Sequence, residues 1–279
     1  MHPVLIDFGT VRLFGQEFPL VIGSYGVMMA ISLLLGLWLV NRWGKQVYPE
    51  APWTDIVMGT FIAGFIGAKL ANAVVFWREL ATGQMSLIGV LRGGGVWLGG
   101  ALLGTAYCIA MLRRHRMEIG ASSDVFFTVV PLAHGLGRIG CLLGGCCYGS
   151  ACDLPWAITY TDPLAAKYNG TPLNVPLHPT PVYEFLLEMA NFAVCYALWR
   201  RRPRGGTVAG TWVLLYGVER FFLEFLRSDP RGQYGPLTTS QWISLAMVAA
   251  GTALLLKVQR AAAGAPAGAS APAARRRPR

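Results

Sequence analysis

Seven stretches of about 20 mostly apolar residues, separated by short polar breaks, leave this chain little choice of solvent. They fall at roughly 18–41, 53–76, 93–112, 123–146, 180–199, 207–227 and 238–256. A helix rising about 1.5 Å per residue needs about 20 residues to cross the hydrocarbon of a bilayer. A composition of 54% hydrophobic and 14% charged residues is far from that of a soluble domain. The expected fold is therefore all-α: a polytopic membrane protein of about seven transmembrane helices.

Charge in the breaks gives an orientation. Basic clusters stand at alternate breaks: Arg42 and Lys45, then Arg113, Arg114 and Arg116, then Arg200, Arg201, Arg202 and Arg204, then the C-terminal stretch. The breaks between them are nearly neutral. The excess of Lys and Arg on the cytoplasmic side then places the N-terminus outside and the C-terminus in the cytoplasm, a parity that seven spans satisfy. No basic region precedes an apolar core in MHPVLIDFGTVRLFGQEFPL, so no cleaved signal peptide is expected. Most of the formal charge of +10 lies in the last residues, in Lys257, Arg260, Arg275, Arg276, Arg277 and Arg279. That tail is rich in Ala and Pro and lacks aromatics for base stacking, so it reads as a disordered segment near anionic lipid, with no nucleic acid as partner. Residues 1–260 are expected to form a single transmembrane catalytic domain with 149–178 as an outward-facing loop, and 261–279 the disordered basic tail.

Ionisable side chains inside hydrocarbon cost at least about 2.5–3.5 kcal/mol each, so those present need partners or a purpose. They concentrate on the fourth, fifth and sixth stretches. PLAHGLGRIG puts His134 and Arg138 four residues apart on one face. HPTPVYEFLLE does the same for Glu184 and Glu188, and YGVERFFLEFLRSD aligns Tyr216, Arg220, Glu224 and Arg227 along one stripe. In the expected topology Arg138 and Arg220 both lie about 10–15 Å short of the outer helix ends, by the helical rise. Two guanidiniums at one level suit the oxygens of a phosphodiester. The structural alternative is that Arg220 pairs with Glu224, and Arg138 with Glu184 or Glu188, only to satisfy one another. Small residues at four-residue spacing, Ala63, Gly67 and Ala71, then Gly95, Gly99, Gly100 and Gly104, read as close-packing faces.

Cys141, Cys146, Cys147 and Cys152 fall within twelve residues near the outer surface. Their spacing fits no standard zinc pattern, so no metal and no cofactor are expected; a disulfide is the expected structural reading, with a redox role as the alternative. Cys108 and Cys195 read as small core residues.

With these residues in place, the chain resembles the phosphatidylglycerol–prolipoprotein diacylglyceryl transferase family, bacterial membrane enzymes that make the thioether lipid anchor of lipoproteins. The resemblance runs through MHPVLIDFG, SYGVMMA, IGAKL, HGLGRIG, HPTPVYE, YGVERFFLEFLRSD and LTTSQWISL. It implies that Arg138 and Arg220 hold the lipid phosphate, that Tyr25 and Tyr216 line the same cavity, that Glu224 orients Arg220, and that Tyr183 and Glu184 belong to the substrate-binding set. The partners it implies are phosphatidylglycerol in the membrane and a prolipoprotein signal peptide carrying a lipobox cysteine. The implied setting is the bacterial cytoplasmic (inner) membrane, and the implied product besides the lipidated thiol is glycerol 1-phosphate. Where the family usually reads GRxGNFxNxE, this chain reads GRIGCLLGGC, with Cys141, Gly144 and Cys146 at the polar positions. Leu98 stands where the family often has a histidine, which leaves His134 as the candidate catalytic base; its alternative is a histidine hydrogen-bonded within the bundle.

Two rival functions are weighed against the transferase. A membrane thiol oxidoreductase would use the outer cysteines and need a low-pKa thiol; a relative acting on a different acceptor would keep the arginines. A seven-helix channel or receptor rests on helix count alone, and no lysine lies within 238–256 to hold a retinal-type pigment.

Overall fold

The computed structural model describes residues 2–13, 16–84, 86, 89, 95–228 and 232–263. Its helices are α1 (Ser24–Gly44), α2 (Trp53–Val75), α3 (Trp77–Ala81), α4 (Trp97–Arg114), α5 (Ile119–Gly144), α6 (Pro163–Asn169), α7 (Thr180–Arg200), α8 (Thr207–Leu223) and α9 (Thr239–Ala263). Seven of these are long, within a few residues of the seven apolar stretches. Four, namely α1, α2, α5 and α9, are long and apolar enough to cross a membrane. Of the other three, α4 and α7 carry charge that lowers their apolarity, Arg113 and Arg114 closing α4 and Glu184 and Glu188 lying in α7, while α8 is shorter, at 17 residues.

The all-α expectation needs correction at three places, each a two-stranded antiparallel sheet. The largest is the N-terminal hairpin of β1 (Val4–Leu13) and β2 (Gln16–Gly23). Residues 18–23, expected to open the first helix, are therefore strand. Helix α1 starts only at Ser24, whose N–H bonds to the Pro3 carbonyl at 3.0 Å and whose hydroxyl donates to the His2 carbonyl. The residues leading into β1 thus satisfy one of the orphan donors of the helix start. The small sheets are β3 (Ile158–Thr159) with β4 (Pro176–Leu177), and β5 (Gln233–Tyr234) with β6 (Leu237–Thr238). The part of the expected basic tail beyond residue 263, and residues 93 and 94 of the third apolar stretch, lie outside the described residues.

The chain divides into two units. In the unit of residues 37–122, α2 and α4 meet along a seam of glycines. A Cβ on Gly67 would land 2.4 Å from the Gly99 carbonyl, and one on Gly100 would land 2.9 Å from the Gly64 carbonyl. Backbone contact this close is what the small-residue spacing predicts.

The other unit, residues 1–36 and 123–269, contains every candidate site residue. Here α8 and α9 cross closely: a Cβ on Gly217 would lie 2.9 Å from the Ser244 carbonyl, and one on Gly251 would lie 2.6 Å from the Leu214 nitrogen. The start of α8 is fixed from a distance. Buried Asp124, on α5, accepts from the Gly206 and Ala209 N–H groups at 3.0 Å each. A carboxylate on orphan donors at a helix N-terminus is favourable both as a hydrogen-bond acceptor and against the helix dipole.

The segment 149–178 is built rather than unstructured. Asp162 caps α6 by accepting from the Leu164 N–H at 2.9 Å, Pro163 occupies the first helical position, and Gly170 at φ 66° ends the helix. Tyr148, Tyr160 and Leu177 form a small buried core beneath it. These caps and the core follow ordinary helix-end and burial rules.

Candidate active site

Three helical stripes supply the site. On α5 the stripe is His134, Arg138 and Cys141; on α7 it is Glu184, Glu188 and Asn191; on α8 it is Trp212, Tyr216 and Arg220, followed by Glu224 in a single 3-10 turn. Helical spacing puts each set on one face. Glu184 and Glu188 are essentially inaccessible, at 1% and 0% exposure, so their charges must be met by neighbouring side chains.

Around Arg138 the partners come from all three helices. His134 Nδ1 lies 2.6 Å from Glu188 Oε1, and His134 Nε2 lies 2.8 Å from Arg138 Nη2. A guanidinium cannot accept a hydrogen bond, so Nε2 is the acceptor and Nδ1–H is the donor to Glu188. Glu188 also accepts from Trp212 Nε1 at 3.1 Å. Arg138 Nε stands 3.3 Å from Glu184 Oε1, and Glu184 Oε2 stands 3.8 Å from Arg227 Nη1. The candidate base thus has both ring nitrogens engaged, and its geometry is that of a group that holds Arg138 in place.

Arg220 sits in a different surrounding. Its Nη2 donates to Glu224 Oε2 at 2.7 Å and to Ser240 Oγ at 3.3 Å. Glu224 is held in turn by Thr238, whose hydroxyl donates to Oε1 at 2.8 Å. Nη1 of Arg220 is buried and has no hydrogen-bond partner among the described residues. A buried donor without a partner costs about 1–3 kcal/mol or more when charged, which an anion placed there would recover.

The two surroundings are linked through Tyr216. Its ring meets the His134 ring edge-on at 5.2 Å and stacks on Trp212 at 4.9 Å. Each arginine stands four residues beyond one member of the His134–Tyr216 contact. Tyr25 packs on α5 at Gly140, where a Cβ would come within 3.2 Å of its ring. Tyr183 accepts from Trp156 Nε1 at 2.7 Å and faces His178.

The ion pairs expected as the structural alternative are present, Arg220 with Glu224 and Arg138 with Glu184. They use one edge of each guanidinium and leave Nη1 of each over: unpartnered on Arg220, and on Arg138 facing only sulfur, 3.9 Å from Cys141 and 3.7 Å from Cys147. Three guanidiniums against three carboxylates leave no excess of positive charge, so an anion here is held by directed donors.

The cysteines overturn the disulfide expectation: all six are free. Gly145 at φ 74° and Cys147 at φ 61° turn the chain back after α5, and Cys146 N–H bonds to the Cys141 carbonyl at 3.0 Å. The turn brings the sulfurs of Cys141, Cys146 and Cys147 within 4.8 Å of one another as a group of three, while Cys152 lies apart, its N–H bonded to the Pro176 carbonyl across the loop. Thiol hydrogen bonds from Cys141 and Cys146, then Arg227 and Arg138, hold the Cys147 thiol well below its ordinary range despite burial. Tyr160 lies over the turn, its ring 3.5 Å from where a Gly145 Cβ would stand; burial, then the three thiols, raise its phenol above the ordinary range.

Sequence spacing finds the stripes but misses four participants: Glu188 as the anchor of His134, Trp212 as its second partner, Arg227 as the far partner of Glu184, and the paired approach of Cys141 and Cys147 to Arg138. Arg227 belongs to the stripe read from the sequence, but the 3-10 turn of Glu224–Leu226 and the extended backbone of Arg227 itself carry it to Glu184, which helical spacing does not give.

Residues 13–257 match the family model described as prolipoprotein diacylglyceryl transferase. A phosphatidylglycerol–prolipoprotein diacylglyceryl transferase of Clostridium tetani is 32% identical over 249 residues, covering 88% of this chain and 93% of the relative. A second one so named, from Clostridium perfringens, is 33% identical over 248 residues, covering 87% and 93%. One from Methylibium petroleiphilum is 33% identical over 271 residues, covering 90% and 94%. With a model match across most of its length and relatives of this similarity, the chain belongs to the prolipoprotein diacylglyceryl transferase family.

Proposed function

We propose that this chain transfers the diacylglyceryl group of phosphatidylglycerol to the lipobox cysteine thiol of a prolipoprotein, releasing glycerol 1-phosphate. The observation that carries the assignment to these residues is the unpartnered, buried Nη1 of Arg220, on a guanidinium whose other side is fixed by Glu224 and Ser240. In this reading Arg138 and Arg220 hold the phosphate and stabilise the charge that develops on it as the carbon–oxygen bond breaks. Donors placed in advance for a developing oxyanion are worth most where water is excluded. His134 and Glu188 orient Arg138, Glu224 orients Arg220, and Tyr25, Tyr183, Glu184 and Tyr216 complete the wall of the lipid site. Seven crossings, with the N-terminus outside, the C-terminus in the cytoplasm of a bacterium and the arginines beneath the outer leaflet, complete the proposal; the alternation of basic breaks supports it.

The test is incubation of the purified protein with phosphatidylglycerol and a lipobox peptide, read by mass. The expected product is the peptide with one diacylglyceryl group in thioether linkage. Arg138→Ala and Arg220→Ala should each lower the rate by about 10²–10³-fold, the usual cost of losing one such donor. Full activity in either variant would remove that arginine from the site.

A further inference from the structure

One cluster beside the phosphate site is not used by the chemistry above. Cys141, Cys146 and Cys147 present three sulfurs within 4.8 Å of one another, and the fold places them there deliberately. Gly145 and Cys147 both adopt left-handed backbone conformations to bring the chain back, which a residue with a Cβ does only at some cost. The Thr180 hydroxyl donates to the Cys147 carbonyl at 2.5 Å, and Thr171 donates to the Gly145 carbonyl, fixing both ends of the turn. Beside it, the buried Tyr160 hydroxyl has no hydrogen-bond partner among the described residues.

We propose that Cys141, Cys146 and Cys147 form a three-thiolate zinc site whose open fourth position takes the acceptor thiol, so that the nucleophile meets the lipid as a zinc-bound thiolate. The proposal rests on the transfer reaction above and names how its acceptor is activated. Zinc binds thiolates at about 2.3 Å in tetrahedral geometry, which sets its sulfurs about 3.8 Å apart, so the triangle closes with a contraction of at most about 1 Å. Zinc sites with three protein ligands and a fourth position left open are catalytic rather than structural. Cys146 and Cys147 are only partly buried, which leaves that position approachable. The ion's charge leaves three thiolates one negative charge in excess, and Arg138 stands 3.9 Å and 3.7 Å from two of the sulfurs to meet it. The same arginine faces the lipid phosphate in the proposed function, so nucleophile and leaving group would flank one residue.

The step balances without redox change. The acceptor S–H loses its proton to water on coordination. A sulfur lone pair then attacks the glyceryl carbon that bears the phosphate oxygen; the S–C bond forms as the C–O bond breaks, and the electron pair leaves on the phosphate oxygen of glycerol 1-phosphate. The thioether is a poor zinc ligand and departs.

The test uses the full chain in detergent, stripped with a chelator and titrated with Zn²⁺ against a chromophoric competitor, and with Co²⁺ read by thiolate-to-cobalt absorption. About one metal per chain should bind. Cys141→Ser and Cys147→Ser should weaken binding by about 100-fold or more, while Cys152→Ser, outside the cluster, should leave it unchanged. A lipobox peptide with cysteine should shift the Co²⁺ spectrum and the same peptide with serine should not, a readout independent of turnover. Zinc should restore lipidation to the stripped protein. Lipidation at full rate by metal-free protein would overturn the inference and leave the transferase reading standing. Metal bound without a response to the cysteine peptide would overturn the acceptor role. A peptide-dependent Co²⁺ shift without lipidation under any metal condition would support the zinc site and defeat the transferase reading instead.

Discussion

Arg138 and Arg220 do similar work in the proposed site but are held by different kinds of contact. Arg220 is held locally: Glu224 is four residues away, Thr238 ends β6 and Ser240 lies in the first turn of α9 directly after it. Arg138 is held by a relay that runs through His134 and Glu184 to Glu188, Trp212 and Arg227. The first arrangement depends on the end of α8 and the adjoining β6–α9 junction, and the second on the mutual placement of α5, α7 and α8. Damage to the relay should therefore spread to the fold, whereas damage around Arg220 should stay with the activity.

Glu184→Gln should give the largest separation. Glu184 is buried and stands between Arg138 and Arg227, so the change removes the carboxylate that Arg138 meets at 3.3 Å from a site closed to water. Breaking a buried pair from one side costs about 3–5 kcal/mol, and the misplaced arginine should lower lipidation by about 10²-fold. Thermal unfolding in detergent and the lipidation rate should fall together. A stable, inactive variant would show that Glu184 acts only at the wall of the lipid site and does not support Arg138.

His134 comes next, and two variants decide its role. His134→Ala leaves Glu188 Oε1 without its donor and Arg138 without its acceptor, an expected loss of about 10- to 30-fold from hydrogen bonds to charged groups. His134→Gln can still accept from Arg138 and should recover part of that loss. The pH–rate profile should keep its shape in both. If the histidine were the base, glutamine would be as inactive as alanine and one ionisation would vanish from the profile.

The same contrast explains what the sequence could and could not reveal. Helix extents were legible because long apolar runs bounded by charge have one reading in a membrane, as in 53–76 against the observed Trp53–Val75. The stretch FPLVIG was not, because a short apolar run joined to a helix reads equally as strand, and only its pairing with β1 decides. The Arg220–Glu224 pair was legible as a four-residue spacing. The Arg138 relay was not: which glutamate meets the histidine and which the arginine depends on how far α7 is rotated, and Glu184 and Glu188 share one stripe. The cysteine cluster was misread for a related reason. Its closure depends on the positive φ of Cys147, a conformation rarely adopted by residues other than glycine, so spacing along the chain gave no measure of distance in space.

The smallest predicted effect tests whether the Arg220 side is as local as it looks. Thr238→Val keeps the shape of the side chain but removes the 2.8 Å hydrogen bond to Glu224 Oε1 and the 3.2 Å acceptor for the Gln241 N–H. The Glu224 Oε2 bond to Arg220 remains. Of the two lost bonds only the one to Glu224 bears on Arg220; at about 0.5–1.5 kcal/mol for a partly buried bond of this kind, kcat/KM should fall by about 3- to 10-fold with thermal stability changed little. Ser240→Ala, which removes the longer 3.3 Å contact, should cost less still. If Thr238→Val instead matched Glu184→Gln in both activity and stability, Arg220 would also belong to the relay, and the division between a locally held arginine and one held by the bundle would fail.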